Sequence, residues 1–478
     1  MPLLDPKTWQ ARKLGGGESP VTEPATGETL ATVTLATAED IAVAAEAART
    51  AQGAWARTPH FLRAAVLRKA GDLFSAHADE LTEWLVRESG SVPGKAAFEL
   101  HVAAEECYEA AALASRPTGQ VLPSEEPRLS YTRRVPVGVV GVIAPFNAPL
   151  ILSIRSVAPA LAIGNAVLLK PDPRTAVCGG ISLGAVFAEA GLPEELLYIL
   201  PGGAEAGQAL VDDPRVPVIS FTGSTAAGRA VGEAAGRRLK RAHLELGGNS
   251  ALIVLEDADV EAAVAQASWG SFFHQGQICM TTGRHLVHAS LYSEYVERLA
   301  AKADSLAVGD PYRAQVHLGP IIDSAQLAKI HGLVEASTAR GAKLAAGGSH
   351  QDLFYRPTVL ADADDLTPAY QEEVFGPVAP VRSFATLDEA AGMAATGPYG
   401  LSLGIVTRDT ALGLELADRI PTGITHINDQ TVNDEAVAPF GGVAASGTGA
   451  RFGGEANLEA FTELRWTTVR GEPADHPF

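Results

Sequence analysis

The sequence predicts an α/β protein built around two successive parallel sheets, and three observations carry that reading. Residues 39–116 show helical periodicity. AVAAEAARTAQGAWA, FLRAAVLRKAGDLFSAHADELTEWLVRES and GKAAFELHVAAEECYEAAALAS place apolar residues every three or four positions with charges between them. Short apolar runs then alternate with helical stretches: VGVVGVI (137–143), NAVLLK (165–170), ELLYIL (195–200), VPVISF (216–221) and AHLEL (242–246). Such alternation implies a parallel sheet with right-handed crossovers and helices on both faces. A second alternating series starts at NSALIVL (249–255) and runs through RHLVH, PTVL, SLGIVT and GITHIN, with helices such as DVEAAVAQASWGSFF and YSEYVERLAAKADSL between.

Two segments suit neither sheet. LSYTRRVPV (129–137) and ELRWTTVR (463–470) are rich in Thr, Val, Tyr and Arg and read as exposed strands. Exposed strands invite pairing with another chain, so they are either an oligomerisation arm or a surface ribbon within one subunit.

Composition narrows the classes of function. A chain of 478 residues holds two or three domains, and 46% hydrophobic against 19% charged residues fits a globular protein with large cores. The net charge of −19 argues against nucleic acid or an anionic membrane as partner. Three cysteines, Cys107, Cys178 and Cys279, form neither a disulfide framework nor a CxxC metal site, and a reducing cytoplasm fits them best. MPLLDPKTWQ lacks the charged and apolar regions of a signal peptide, and the apolar stretches are broken before membrane-spanning length. The twelve histidines show no HExxH or His/Cys ligand spacing, so no metal is expected.

The chemistry is expected around HQGQICMTTGR (274–284), where Cys279 sits among polar and small residues rather than in an apolar run. Four distant segments offer partners. IAPFNAPL (143–150) follows a strand, where α/β proteins bind ligands; Asn147 there is a side-chain donor or an ordinary turn residue. LLKPDPRT (168–175) ends a strand on Lys170, which either reaches a cofactor hydroxyl or lies along the surface. FTGSTAAG (221–228) runs a strand into Gly223, Ser224 and a helix N-terminus, which is an anion site or a plain cap. LELGGNS (244–250) puts Glu245 at a strand end, poorly solvated, as a general base or half of an ion pair.

With Asn147, Lys170, Gly223-Ser224, Glu245 and Cys279 in this order and at these intervals, the sequence resembles the aldehyde dehydrogenase superfamily over nearly its whole length. EEVFGPV (372–378) and PFGGVAASGTGARFG (439–453) look like that family's later motifs. The resemblance implies a Rossmann-like cofactor-binding domain (1–116 and 138–247), an α/β catalytic domain (248–440), and a small β oligomerisation arm with a C-terminal segment (117–137 and 441–478). It implies Cys279 as nucleophile, Asn147 with the Cys279 backbone N–H as oxyanion donors, and Glu245 as the base that activates water against a thioester. A glutamate at this place favours hydrolysis over transfer to coenzyme A.

The cofactor implied is NAD or NADP, with NAD favoured. Lys170 is expected at the adenosine ribose, Gly203 and Gly207 beside the adenine, and Phe221, Gly223, Ser224 and Leu246 near the pyrophosphate and nicotinamide. Glu373 and Phe375 are expected at the nicotinamide ribose, with Ala144, Pro145 and Phe146 completing the cleft. Three positions depart from the family pattern. Pro173 and Arg174 stand where NAD-preferring relatives often carry a ribose-gripping glutamate, and Arg174 could pair with a 2′-phosphate. Phe146 replaces a common Trp. His274 replaces a common Asn, and is either a packing residue or, within hydrogen-bond reach of Cys279, half of a dyad.

The stretches around Asn147 and Cys279 look most like the benzaldehyde and vanillin dehydrogenase branch. Ala148, Ile151, Leu152, Arg155, Phe273, Ile278, Met280 and Phe440 are the expected substrate wall. Arg155 either meets a ring substituent or pairs with an acid such as Asp434. Aliphatic aldehydes or semialdehydes are the alternative substrates. A non-catalytic relative would have lost its nucleophile or base, and both are present. A homodimer or homotetramer is implied.

Overall fold

In a computed structural model the described residues are 3–5, 13–116 and 118–476. The outer ends of the predicted divisions (1, 2, 117, 477 and 478) and most of MPLLDPKTWQ lie outside the described residues. The α/β class is as predicted. The first sheet has five parallel strands in the order Leu197–Ile199, Ala166–Lys170, Val139–Ile143, Val218–Thr222, Arg241–Glu245. Val139–Ile143 and Ala166–Lys170 are buried throughout, as expected for strands covered by helices on both faces. The helix Pro149–Ile163 shows why the chain turns where it does. Proline at its first turn lacks only an N–H that would be unpaired anyway, and Gly164, at φ 104°, stops it in the left-handed region. The helices Ala38–Arg57, His60–Ala76, Ala78–Ser89 and Pro93–Leu113 account for the helical periodicity after residue 38.

The second sheet has seven strands: Lys343–Ala346, Thr358–Ala361, Val378–Phe384, Thr282–His288, Ser250–Val254, Ser402–Val406 and Ile424–Ile427, in that order. All neighbours are parallel except Lys343–Ala346 with Thr358–Ala361. Two of these strands, Lys343–Ala346 and Val378–Phe384, were not in the expected series. Pro380 and Arg382 interrupt the apolar run of the latter, which hides a strand that pairs on both sides. An N-terminal hairpin, Glu18–Thr22 with Thr29–Thr34, was also missed.

The two ribbon segments pair with each other. Leu129–Pro136 runs antiparallel to Thr462–Val469, with Val121–Leu122 on its other side, and Trp466 Nε1 donates to Ser130 Oγ at 2.9 Å. The outer strand keeps Leu464 and Trp466 exposed. Val443–Ala444 pairs antiparallel with Tyr399–Gly400, and the chain from 446 to 461 turns back over the first sheet. Leu246 N–H donates to Ser446 O at 2.9 Å, and Phe452 and Phe461 enter the core of the first sheet. Among the described residues no helix is long and apolar enough to cross a membrane.

Between the sheets the chain passes from the edge strand Arg241–Glu245 to the interior strand Ser250–Val254 in four residues. Arg284 fastens this crossing. Its buried guanidinium donates to Asn249 O (3.0 Å) and to three carbonyls at the end of helix Leu387–Ala395: Met393 (3.0 Å), Ala394 (3.0 Å) and Thr396 (2.7 Å). A cation at a helix C-terminus also meets the dipole favourably. Arg284→Met leaves four carbonyls without their donor and should lower unfolding free energy by about 3 kcal/mol, read as a reduced denaturant midpoint. Arg284→Lys should recover less than half of the loss, because one ammonium cannot span the fork.

Candidate active site

Parallel register brings the first sheet's expected residues to one edge. Ile143 lies opposite both Lys170 and Phe221, and Thr222 lies opposite Glu245. Ala144 N–H donates to Lys170 O at 3.1 Å, and Gly223 N–H to Glu245 O at 3.1 Å. Ala144 to Asn147, Lys170, Gly223 and Glu245 therefore leave the C-terminal ends of neighbouring strands, where α/β sheets place ligands.

Along this edge several groups fit a dinucleotide. Lys170 is buried and its Nζ donates to Gly202 O at 2.6 Å; burial holds its pKa below the usual lysine range. Gly207 presses on its stem, with the space for a Cβ 3.6 Å from Lys170 Cε, while Gly203 faces open space. Ser224 caps the helix Thr225–Arg237, its Oγ accepting from Ala227 N–H at 3.3 Å. The Phe221 ring lies under Gly223, and Leu246 packs on Gly228. The Glu373 carboxylate accepts from Gly248 N–H at 3.0 Å, and burial raises its pKa. Phe146 meets Phe375 edge-on at 5.9 Å. The departure at Arg174 is already satisfied within the chain. Its guanidinium chelates Asp172, reaches Asp323 at 2.7 Å and lies 4.2 Å over the Phe146 ring.

The other half of the site is a cavity of about 490 Å³. Cys279 and Asn147 line it, as do all eight residues expected on the substrate wall. Trp269, stacked on Phe273 at 4.3 Å and 12°, and Phe98 complete its aromatic lining. Arg155 is fully buried. It pairs with Asp434 and lies 4.3 Å over the Phe440 ring, while its Nε and Nη1 have no partner.

The loop carrying Cys279 is held by side chains on both sides. His274 and Gln275 adopt φ of 49° and 55°, and Gly276 follows at 65°; a Cβ there would collide with the Gly376 carbonyl, so only glycine fits. Gln275 Nε2 donates to Gly90 O (3.1 Å) and Pro320 O (2.9 Å), and Gln277 Oε1 accepts from Ile322 N–H (3.1 Å). His274 is fully buried beside the Asn147 backbone, where burial and nearby Lys95 keep it neutral. Among the described residues no hydrogen bond joins it to Cys279.

Burial governs the reactive groups. Desolvation pushes the Cys279 thiol up to about 12, with Glu373 and Glu245 adding to the rise and Arg155 opposing it. Desolvation likewise pushes Glu245 up to about 8. Its Oε2 accepts from Gly442 N–H at 3.2 Å, and its Oε1 is buried with no partner.

One feature escaped the sequence reading. Lys95 and Glu99, on helix Pro93–Leu113, form a buried ion pair against the cavity. Lys95 Nζ donates to Asn147 O at 2.8 Å, and Glu99 Oε2 accepts from Leu150 N–H (3.1 Å) and Ile151 N–H (3.4 Å). The pair thus clamps the Asn147 loop and caps the following helix, whose cap residue Ala148 has no side-chain acceptor. The available signal was phase: both residues fall on the buried stripe with Ala96, Leu100 and Ala103. Lys95→Met/Glu99→Gln removes both charges but keeps an acceptor for the helix. It should fold and lower kcat on the order of 10²-fold through misplacement of Asn147, with KM little changed. A steady-state kcat equal to native would show that the clamp is not needed.

A match to the aldehyde dehydrogenase family model covers residues 9–467. A vanillin dehydrogenase of Amycolatopsis is 68% identical over 100% of both chains. A benzaldehyde dehydrogenase [NAD(+)] of Pseudomonas putida is 48% identical, over 97% of this chain and 95% of its own. The crystal structure of a salicylaldehyde dehydrogenase from Pseudomonas putida G7, complexed with salicylaldehyde, superposes with a TM-score of 0.94 at 34% identity, covering 98% of each chain. Strand-end geometry, the Cys279 loop and these likenesses over full length have one common reading: the chain belongs to the aldehyde dehydrogenase family.

Proposed function

We propose that this protein oxidises aromatic aldehydes of the benzaldehyde and vanillin type to carboxylic acids, with NAD as acceptor. The observation that carries the reading is the aromatic and aliphatic cavity that ends on Cys279 and Asn147. Its ring-lined walls suit an aryl group, and the named activities of the relatives agree with it. NAD is favoured over NADP because Arg174, the candidate partner for a 2′-phosphate, is engaged by Asp172 and Asp323. Solvent-exposed Leu464 and Trp466 on the outer ribbon strand support self-association through that edge.

The chemistry follows from the residues present. The substrate ring lies among Phe273, Ile278, Met280 and Phe440, with its carbonyl oxygen toward the Asn147 amide and the Cys279 N–H. Cys279 Sγ attacks the carbonyl carbon. A C–S bond forms, the π pair moves to oxygen, and the thiol proton leaves. That proton passes to solvent water, so Glu245 stays free for the later hydrolysis and the first transfer of hydride does not depend on it. Donors preorganised for the oxyanion are worth on the order of 3 kcal/mol each. A bound nicotinamide supplies the hydride acceptor. Lys170, Glu373 and the helix at Ser224 would hold and orient it. Collapse of the adduct leaves a thioester on Cys279. Water attacks it while Glu245 takes a proton, the C–S bond breaks, and the acid departs.

Absorbance at 340 nm with benzaldehyde and NAD or NADP tests this. Turnover should be faster with NAD and should vanish in Cys279→Ala. Glu245→Gln should keep a burst of reduced cofactor but turn over at least 10²-fold more slowly. An unchanged steady-state rate would remove Glu245 from the role. Since the base must be ionised and burial raises its pKa to about 8, deacylation should speed up as pH rises through that value.

Arg155 presents buried Nε and Nη1 without partners beside the cavity, although Asp434 holds its Nη2. These donors suit a phenolic oxygen on the ring. Arg155→Leu should lower activity on hydroxylated benzaldehydes relative to benzaldehyde by about tenfold. Unchanged relative rates would assign Arg155 to packing against Asp434 alone.

A further inference from the structure

The base proposed above lies against a strip of chain, 441–452, that the catalytic reading does not use. Phe440 and Phe452 exchange backbone hydrogen bonds of 2.8 and 2.9 Å, and Phe452 is anchored in the core of the first sheet. This small antiparallel bridge sets Arg451 opposite Gly441. A Cβ on Gly441 would fall 2.7 Å from Glu245 Oε1 and 3.0 Å from Arg451 Cδ, so the carboxylate and the arginine stem flank one α-carbon. Arg451 Nη1 donates to Gly442 O at 3.1 Å and to Ala450 O at 2.9 Å. Gly442 N–H is in turn the donor to Glu245 Oε2, at 3.2 Å.

We propose that Arg451 is a positioning residue for the general base: it fixes Gly442 so that the Gly442 amide stays on Glu245, and it adds a positive charge that no carboxylate among the described residues pairs with. The inference rests on Glu245 acting as the base. Charged and titratable groups face Glu245 from three elements. Arg155 comes from helix Pro149–Ile163, Cys279 from the 273–280 loop and Arg451 from the 440–452 bridge. Arg155 is paired with Asp434 yet still lowers the Glu245 pKa, more than Arg451 does. Arg451 has carbonyl partners, and among the described residues no carboxylate pairs with it. Its charge therefore acts on Glu245 without local cancellation and favours the ionised form. A neutral side chain at 451 leaves the carboxylate with more of its desolvation penalty uncompensated.

The test is rapid-quench measurement of thioester hydrolysis between pH 6 and 9.5, using the full-length protein acylated with benzaldehyde and NAD. Arg451→Gln should move the midpoint of the pH profile to the alkaline side. The rate at pH 7 should fall about threefold to tenfold, while the rate above pH 9 approaches native. Arg451→Lys should return the midpoint toward native, and the formation of reduced cofactor in the first turnover should change little. Arg451→Met keeps the stem against Gly441 and serves if the Gln variant does not fold. An unmoved midpoint, including a uniform loss at every pH, overturns the proposal, as does a pH limb that persists in Glu245→Gln. Absence of cofactor reduction by the native protein across an aldehyde panel would instead overturn the functional reading on which it rests.

Discussion

The site depends on the parallel register of the first sheet. Because Ile143 is flanked by Lys170 and Phe221, and Thr222 by Glu245, four chain segments leave the sheet at one level. Strand direction makes all of them C-terminal ends, so each loop that follows opens on the same side. A one-residue slip would turn every side chain to the other face of its strand. Lys170 would then lose the Gly202 carbonyl and Glu245 the Gly442 amide. The buried, β-branched and aliphatic strands that set the register are thus the remote cause of where the Asn147 amide and the Glu245 carboxylate are presented, while the loop before Thr282–His288 of the second sheet brings Cys279.

Desolvation then decides how those groups behave. Cys279, Glu245 and Glu373 are all shifted toward their neutral forms by burial, and His274 likewise. Burial of this kind leaves a neutral thiol at the end of the cavity, which suits the entry of an apolar ring. It also stores reactivity, since an unpaired carboxylate in a dry place is a stronger base than one in water. Three of the cations that remain are held by carboxylates: Arg155 by Asp434, Lys95 by Glu99, Arg174 by Asp172 and Asp323. Buried pairs of this kind add little net stability. Their worth here lies in fixing the Asn147 loop and the aryl end of the cavity.

Much of this was legible in the sequence because it depends on short-range pattern. Strand runs such as VGVVGVI and NAVLLK need only local apolar periodicity. The residues at the strand ends follow from the chain order of their motifs. What stayed hidden depends on tertiary context. Val378–Phe384 reads poorly as a strand because Pro380 and Arg382 interrupt it, yet it pairs along both edges. Gln275 and Gln277 look like solvent-facing polar residues beside a reactive cysteine. They are instead buried tethers to Gly90, Pro320 and Ile322. Lys95 and Glu99, four apart on a helix, read as an exposed pair until another helix covers them.

Arg155 shows why the two readings of one residue need not compete. Sequence reading set an ion pair with Asp434 against contact with a ring substituent. The guanidinium has five N–H donors in a rigid fork, and Asp434 occupies Nη2 only. Its stacking on Phe440 holds the plane of the fork, and the pair with Asp434 offsets the cost of burying the charge. Both leave Nε and Nη1 unsatisfied. An isolated buried cation would be too costly to keep, and a fully satisfied one would have nothing to offer. A half-satisfied arginine beside an aromatic cavity is affordable as a structure and able to reward a substrate oxygen that a plain aryl ring lacks.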